Sequence, residues 1–361
     1  MKLGGGMSAT EHEVEPLFSV VLAAEPTLTI DGSAGEGGGQ ILRTALALAM
    51  LSGRPFVLER IRAGRKRPGL MRQHLTSVRA AAEVCSATVD GAELGSARLH
   101  FVPGPIRPGD YAFDVGSAGS TALVLQTVAL PLASAREASR VRVRGGTHAL
   151  WAPIHPFLER AWVPRVGAPL SLELVQPGFY PAGGGEVVMT VSPSVLAPLH
   201  VAASSGQHEL MAHAVVSNLP EGIARRELTS LAALLPDERL ALHSATVRSP
   251  GPGNALWLTA RDRQTGVCNV FSAIGERGVS AEEVGASCAR AFLAFRASGA
   301  SVEQHLADQL MLPIALADEG SYTCNELTLH SRTNIEVIHA FTGKRLRVWS
   351  RESGGYRISA T

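Results

Sequence analysis

Leu28-Thr-Ile-Asp-Gly-Ser-Ala-Gly-Glu-Gly-Gly-Gly39 joins a short β-like run to the apolar helical run 40–51. Tyr111-Ala-Phe-Asp-Val-Gly-Ser-Ala-Gly119 does the same ahead of the helical run 120–133. Gly-Ser-Ala-Gly therefore recurs at Gly32 and Gly116, 84 residues apart, each time between a strand and an apolar helix. A strand, glycine loop and helix repeated in this way indicate an internally duplicated α/β architecture.

Working outward, 56–61 reads as a strand, 70–84 as a helix, and 88–94 and 98–102 as two further strands. Each unit of about 80 residues then has the order βαβαββ. Another unit runs from Val141 through a helix around Pro156 to Val166, with strands at 170–175 and 186–191. Toward the C-terminus the pattern predicts a helix over 302–317, a strand over 324–329 and a helix over 334–341. Strands at 345–349 and 356–358 close the chain. The stretch from about 200 to 300 carries no Gly-Ser-Ala-Gly loop. It reads as strand 211–216, helix 221–235, strand 255–260 and helix 281–297. The expected domains are a large one over 27–200 and 301–361, a smaller α/β domain inserted over 201–300, and a leader over 1–26.

The 361 residues are 45% hydrophobic and 18% charged, which suits about two cored domains and excludes a disordered or fibrous chain. Thirty-three Lys+Arg against 32 Asp+Glu give a net charge of +1, so no global basic field marks a nucleic-acid partner. Only Lys2, Lys66 and Lys344 are lysines, which leaves little room for a lysine nucleophile or a phosphate-cradling lysine. No apolar run reaches the ~18 residues of a membrane span. Cys85, Cys268, Cys288 and Cys324 are widely separated. This argues against a thiolate zinc site or a disulfide framework and for a cytoplasmic location. Glu11, Glu13 and Glu15 precede the apolar patch 17–24, where a secretory signal would carry positive charge.

Several motifs can carry chemistry. Gly35 to Gln40 opens a helix, where backbone N–H groups and the helix dipole favour an anion. Glu36 within that loop would repel a phosphate unless a divalent cation bridged them; a tight turn with a solvated Glu36 is the alternative. Arg60, Arg62, Arg65, Lys66, Arg67 and Arg72 form a loop-borne phosphate patch, or else a solvated face. Gln126 lies mid-helix among apolar residues and needs a partner if buried. His305, Asp308 and Gln309 share one helix face. His330 falls just past the expected strand 324–329, where α/β sheets place their sites, although a lone histidine is more often structural.

Together, Asp31 to Arg43, Ile61 to His74, Gly116 to Gly119, Gly178-Phe-Tyr-Pro-Ala-Gly-Gly-Gly185 and His305 to Gln309 resemble the RNA 3'-terminal phosphate cyclase family, from about residue 27 to the C-terminus. The resemblance implies an α/β fold whose large domain holds three βαβαββ-type units, with a small α/β domain inserted. It implies an ATP-dependent ligase that converts an RNA 3'-phosphate to a 2',3'-cyclic phosphate through histidyl-AMP and an RNA(3')pp(5')A intermediate. Carried over by motif, His330 is the nucleophile and Glu36 holds Mg²⁺ or Mn²⁺. Gln126, Pro153, His305, Asp308 and Gln309 surround the adenosine. Arg43, Arg65, Arg67, Arg72 and Gln73 bind phosphates of the RNA end or nucleotide. The implied partners are ATP and RNA 3'-phosphate ends, with a homodimer allowed. Two departures stand out. His305 occupies a position where some relatives stack a tyrosine on adenine, and Gln176-Pro-Gly178 replaces a basic residue before the third glycine signature. A non-catalytic, cyclase-like ribosome-assembly factor is the competing expectation, and His330 with Glu36 argues against it. An enolpyruvyl-transferase-like enzyme is a third, disfavoured by the scarcity of lysine.

Overall fold

The computed structural model describes residues 27–35, 37–236 and 238–360. It is a mixed α/β protein with several four-stranded sheets. The first sheet follows from the first quoted stretch. β1 (Leu28–Asp31) leads through the glycine loop into α1 (Gly39–Ser52). Then come β2 (Phe56–Glu59), α2 (Arg72–Cys85), β3 (Thr88–Asp90) and β4 (Leu99–Val102). α1 is apolar almost all round and is buried from Ile41 to Met50 apart from Arg43. It ends at Gly53, whose φ of 71° supplies the left-handed turn that stops the helix. Burying a side chain such as Leu42 or Leu46 stabilises by about 1.5–3 kcal/mol. The sheet order is β1-β2-β4-β3, with β1 parallel to β2 and the other pairs antiparallel.

The second sheet is β5-β6-β8-β7, from β5 (Asp110–Asp114), β6 (Ser139–Gly145), β7 (Leu170–Gln176) and β8 (Gly185–Val191). α3 (Thr121–Ala133) joins β5 to β6, and its first turn is capped by the Ser120 hydroxyl, which accepts from the Leu123 N–H. α4 (His155–Phe157) runs on into a π-turn over Leu158–Trp162 and a 3-10 turn over Val163–Arg165. β5 and β6 are parallel, and the remaining pairs antiparallel.

β9 (Leu199–His200) belongs to a third sheet that the chain rejoins only after residue 300. Between lie β10 (His208–Ser217), α5 (Gly222–Ala233), β11 (Leu240–Thr246), β12 (Gly253–Asp262), β13 (Cys268–Ile274) and α6 (Ala281–Ala297). They form a sheet of order β11-β10-β12-β13 with a hydrophobic cluster of its own under α5 and α6. α7 (Gln304–Leu316), β14 (Gly320–Cys324), α8 (Leu329–Thr342), β15 (Arg347–Ser350) and β16 (Tyr356–Ala360) complete the third sheet, β15-β16-β14-β9. Here too the first pair, β9 and β14, is parallel and the others are antiparallel.

Some expectations shift. The strand expected over 324–329 is β14, which ends at Cys324. Thr328 then caps α8 by accepting from the Ser331 N–H, so the helix begins five residues earlier than its apolar periodicity suggested. The strand expected over 88–94 stops at Asp90. The cysteines are free thiols, three of them buried. No helix among the described residues is long and apolar enough to cross a membrane. Residues 1–26, read as a leader, lie outside the described residues.

Candidate active site

α1, α3, α7 and α8 face a cleft of about 770 Å³, also lined by the segment 149–153 and by β13. Its lining includes His330, Arg43, Gln126, Pro153, His305, Asp308 and Gln309, so seven of the expected site residues meet in one place. His330 is the second residue of α8, at the positive end of that helix and half-buried, rather than beyond a strand end. Burial, then the positive charges of Arg43, His305 and Arg65, pulls its pKa down to about 4. The imidazole is therefore neutral near pH 7, with a lone pair available for attack.

Arg43 lies one turn into α1. Burial lowers its pKa to about 10, opposed by the charge of Asp308, and it remains a cation at neutral pH. Asp308 on α7 is buried, and that burial pushes its pKa up to about 7, against the pull of His305 and Arg43 and a hydrogen bond from Gln40. The Asn334 Nδ2 donates to the Asp308 main-chain oxygen at 2.9 Å, while its Oδ1 accepts from the Thr44 hydroxyl at 2.8 Å. Gln126 donates to the Gln309 side-chain oxygen, which ties α3 to α7 across the cleft. A neutral nucleophile, a half-buried guanidinium and a helix N-terminus at one cavity suit attack on a phosphorus centre.

The first glycine loop is pressed against the same helix. A Cβ at Gly35, where φ is +57°, would come 2.2 Å from the Thr333 hydroxyl, one turn after His330. At Gly39 a Cβ would meet both His74 and Arg43. Glu36, the expected metal ligand, lies outside the described residues.

Arg65, Arg67, Arg72 and Gln73 are not part of the cleft lining. Arg65 and Arg67 are exposed, and the Arg65 charge is felt at His330. Arg62 donates to the main-chain oxygens of Arg67 and Gly69 at 2.7 and 3.0 Å, which curls the arginine loop. Arg72 donates to the Gly116 carbonyl at 3.3 Å, and Gln73 accepts from the Ser120 N–H at 2.7 Å. The arginine loop is thus latched to the second glycine loop.

A family model described as RNA 3'-terminal phosphate cyclase matches residues 34–348. The chain is 52% identical over 327 residues to the RNA 3'-terminal phosphate cyclase of Ralstonia nicotianae, covering 89% of this chain and 93% of that one. It is 48% identical over 322 residues to that of Koribacter versatilis (87% and 89%). It is 45% identical over 334 residues to that of Salmonella typhimurium (91% and 97%). The chain belongs to the RNA 3'-terminal phosphate cyclase family. It is accordingly an enzyme of ligase type.

Within this cyclase cleft, sequence reading overlooked several residues. Asn334 follows His330 by four positions and so shares its helix face, a spacing that could have flagged it. Buried Glu303 caps α7 by accepting from the His305 and Leu306 N–H groups. Trp151 carries no signal in the sequence. It is 95% exposed, sits at the cleft and has a left-handed φ of 59°.

Proposed function

We propose that this chain uses ATP to convert an RNA 3'-terminal phosphate to a 2',3'-cyclic phosphate. A His330 ring nitrogen attacks the α-phosphorus of ATP. An N–P bond forms and the P–O bond to pyrophosphate breaks. The adenylyl group passes to the RNA 3'-phosphate, and the neighbouring 2'-hydroxyl then attacks that phosphorus and expels AMP. The ribose itself holds the 2'-hydroxyl beside the reacting centre, so the last step is intramolecular. Only a ribose end supplies that hydroxyl.

The observation that carries this reading is His330 itself, a neutral imidazole at a helix N-terminus, opening into the same cleft as Arg43. In the proposal Gln126, Pro153, His305, Asp308 and Gln309 bind the adenosine. Arg43, Arg65, Arg67, Arg72 and Gln73 take phosphates of the nucleotide or RNA end. Among the described residues no group of three or more His, Cys, Asp or Glu converges on a metal position. A triphosphate-bound Mg²⁺ or Mn²⁺ commonly takes only one or two protein carboxylates. That requirement fits the single carboxylate assigned here, Glu36, and the bound ion would neutralise phosphate charge. The recurrent order of one parallel and two antiparallel pairings supports three βαβαββ units over 27–200 and 301–361, with 201–300 inserted. The free, mostly buried thiols support a cytoplasmic setting.

An RNA oligonucleotide with a labelled 3'-phosphate, incubated with enzyme, ATP and Mg²⁺, tests the proposal. On a ribose end the label is expected to become a phosphatase-resistant cyclic phosphate. A 2'-deoxy end, which lacks the attacking hydroxyl, is expected to stop at the adenylylated (3')pp(5')A stage and yield no cyclic phosphate. A label that stays sensitive on the ribose end would overturn it.

A further inference from the structure

Three rings form a row across the sheet of 208–274. In the strand register His243 of β11 stands opposite His213 of β10, which stands opposite Trp257 of β12, which stands opposite Ser272 of β13. The His243 and His213 rings are 4.8 Å apart and within 20° of parallel. Those of His213 and Trp257 are 5.1 Å apart and within 12°. These are stacking distances. The His213 Nε2 and Trp257 Nε1 atoms are buried without hydrogen-bond partners among the described residues, so stacking rather than hydrogen bonding sets the planes.

The row lies on the sheet face turned away from α5 and α6. Leu210, Ala212, Ala214 and Val216 pack under those helices, whereas Val215 and Trp257 on the opposite face join the main core. At its inner end Ser272 lines the cleft. At its outer end β11 is the edge of the sheet, and His243 with its strand neighbours is exposed. Apart from burial, the strongest influence on His213 is the positive charge of Arg160. The row therefore ends in a bare ring face in a locally cationic setting and is continuous with the cleft.

We propose that His243 is a stacking platform for a nucleobase of single-stranded RNA whose 3' end occupies the cleft. This rests on the RNA substrate proposed above. Three strand spacings separate Ser272 from His243, about 14 Å, a span that a few nucleotides cover. Stacking on a ring is tolerant of base identity, because every base has a π-face, so the platform adds affinity without fixing sequence.

Direct binding tests this by fluorescence anisotropy, using a dinucleotide and a longer single-stranded RNA, each with a 3'-phosphate. His243→Ala is expected to weaken binding of the longer RNA by about five- to tenfold and to leave the dinucleotide unchanged. His243→Phe is expected to restore tight binding. Equal affinity of wild type and His243→Ala for the longer RNA would overturn the proposal, as would equal weakening for both lengths. Adenylylation of the protein by ATP, followed in parallel, reports separately on the catalytic reading, and His243→Ala is expected to leave it intact.

Discussion

Asn334 donates from its side-chain nitrogen to the main-chain oxygen of Asp308 at 2.9 Å, so the helix bearing His330 is fastened to the helix bearing the proposed adenosine face. The same amide accepts from Thr44, next to Arg43, and brings α1 into the junction. Replacing Asn334 with alanine leaves a buried carbonyl and a buried hydroxyl without this partner, at a cost of about 1–3 kcal/mol. We expect Asn334→Ala to melt at lower temperature and to adenylylate more slowly. Unchanged melting, measured by calorimetry, would contradict this account of the junction.

The ionisation of His330 makes a prediction about pH. Its pKa is lowered from 6.5 to about 4 on folding, so between those values the unfolded chain binds a proton that the folded chain does not. Its contribution to stability is therefore complete above pH 6.5. It is lost as pH falls toward 4. Between pH 7 and pH 5, His330→Ala should lose less melting temperature than wild type. Parallel losses would show that this histidine is not held neutral by the fold.

After burial itself, the Arg43 charge does most to depress the His330 pKa. Arg43→Gln removes that charge while keeping a polar side chain, and the His330 pKa is expected to rise. The imidazole resonance, followed by NMR titration, reads the shift directly. A pKa that stays in place would remove Arg43 from the electrostatics of the site.

Two glycines with left-handed backbones separate strain from contact. Gly206 has φ +74° and open space where a methyl group would sit, whereas Gly35 has φ +57° and the Thr333 hydroxyl 2.2 Å from that position. Gly206→Ala should cost only the backbone strain, about 1–2 kcal/mol, and keep full activity. Gly35→Ala should also push the loop off α8 and abolish adenylylation. Equal activity of the two variants, assayed with labelled ATP, would show that the loop need not touch α8.

The helices of the cleft were legible where burial and capping agreed. α1 is an apolar run closed by Gly53, and α3 is an apolar run opened by Ser120. His305, Asp308 and Gln309 were legible for a similar reason, because helical spacing alone places them on one face. The start of α8 was not. Leu327-Thr-Leu329 alternates like a strand, and only the pairing of β14 with β16, which stops at Cys324, frees the next residues to be capped by Thr328. β11 was missed because it is an exposed edge strand without a buried stripe. The Thr44–Asn334 contact spans 290 positions, and no local pattern encodes it.

The most direct test of the central claim is a label chase. The enzyme is incubated with α-labelled ATP and Mg²⁺, freed of nucleotide, and then offered RNA with a 3'-phosphate. The account predicts an acid-labile label on the protein that leaves when the RNA is added, and no label on His330→Ala. A His330→Ala protein that still takes the label would contradict it.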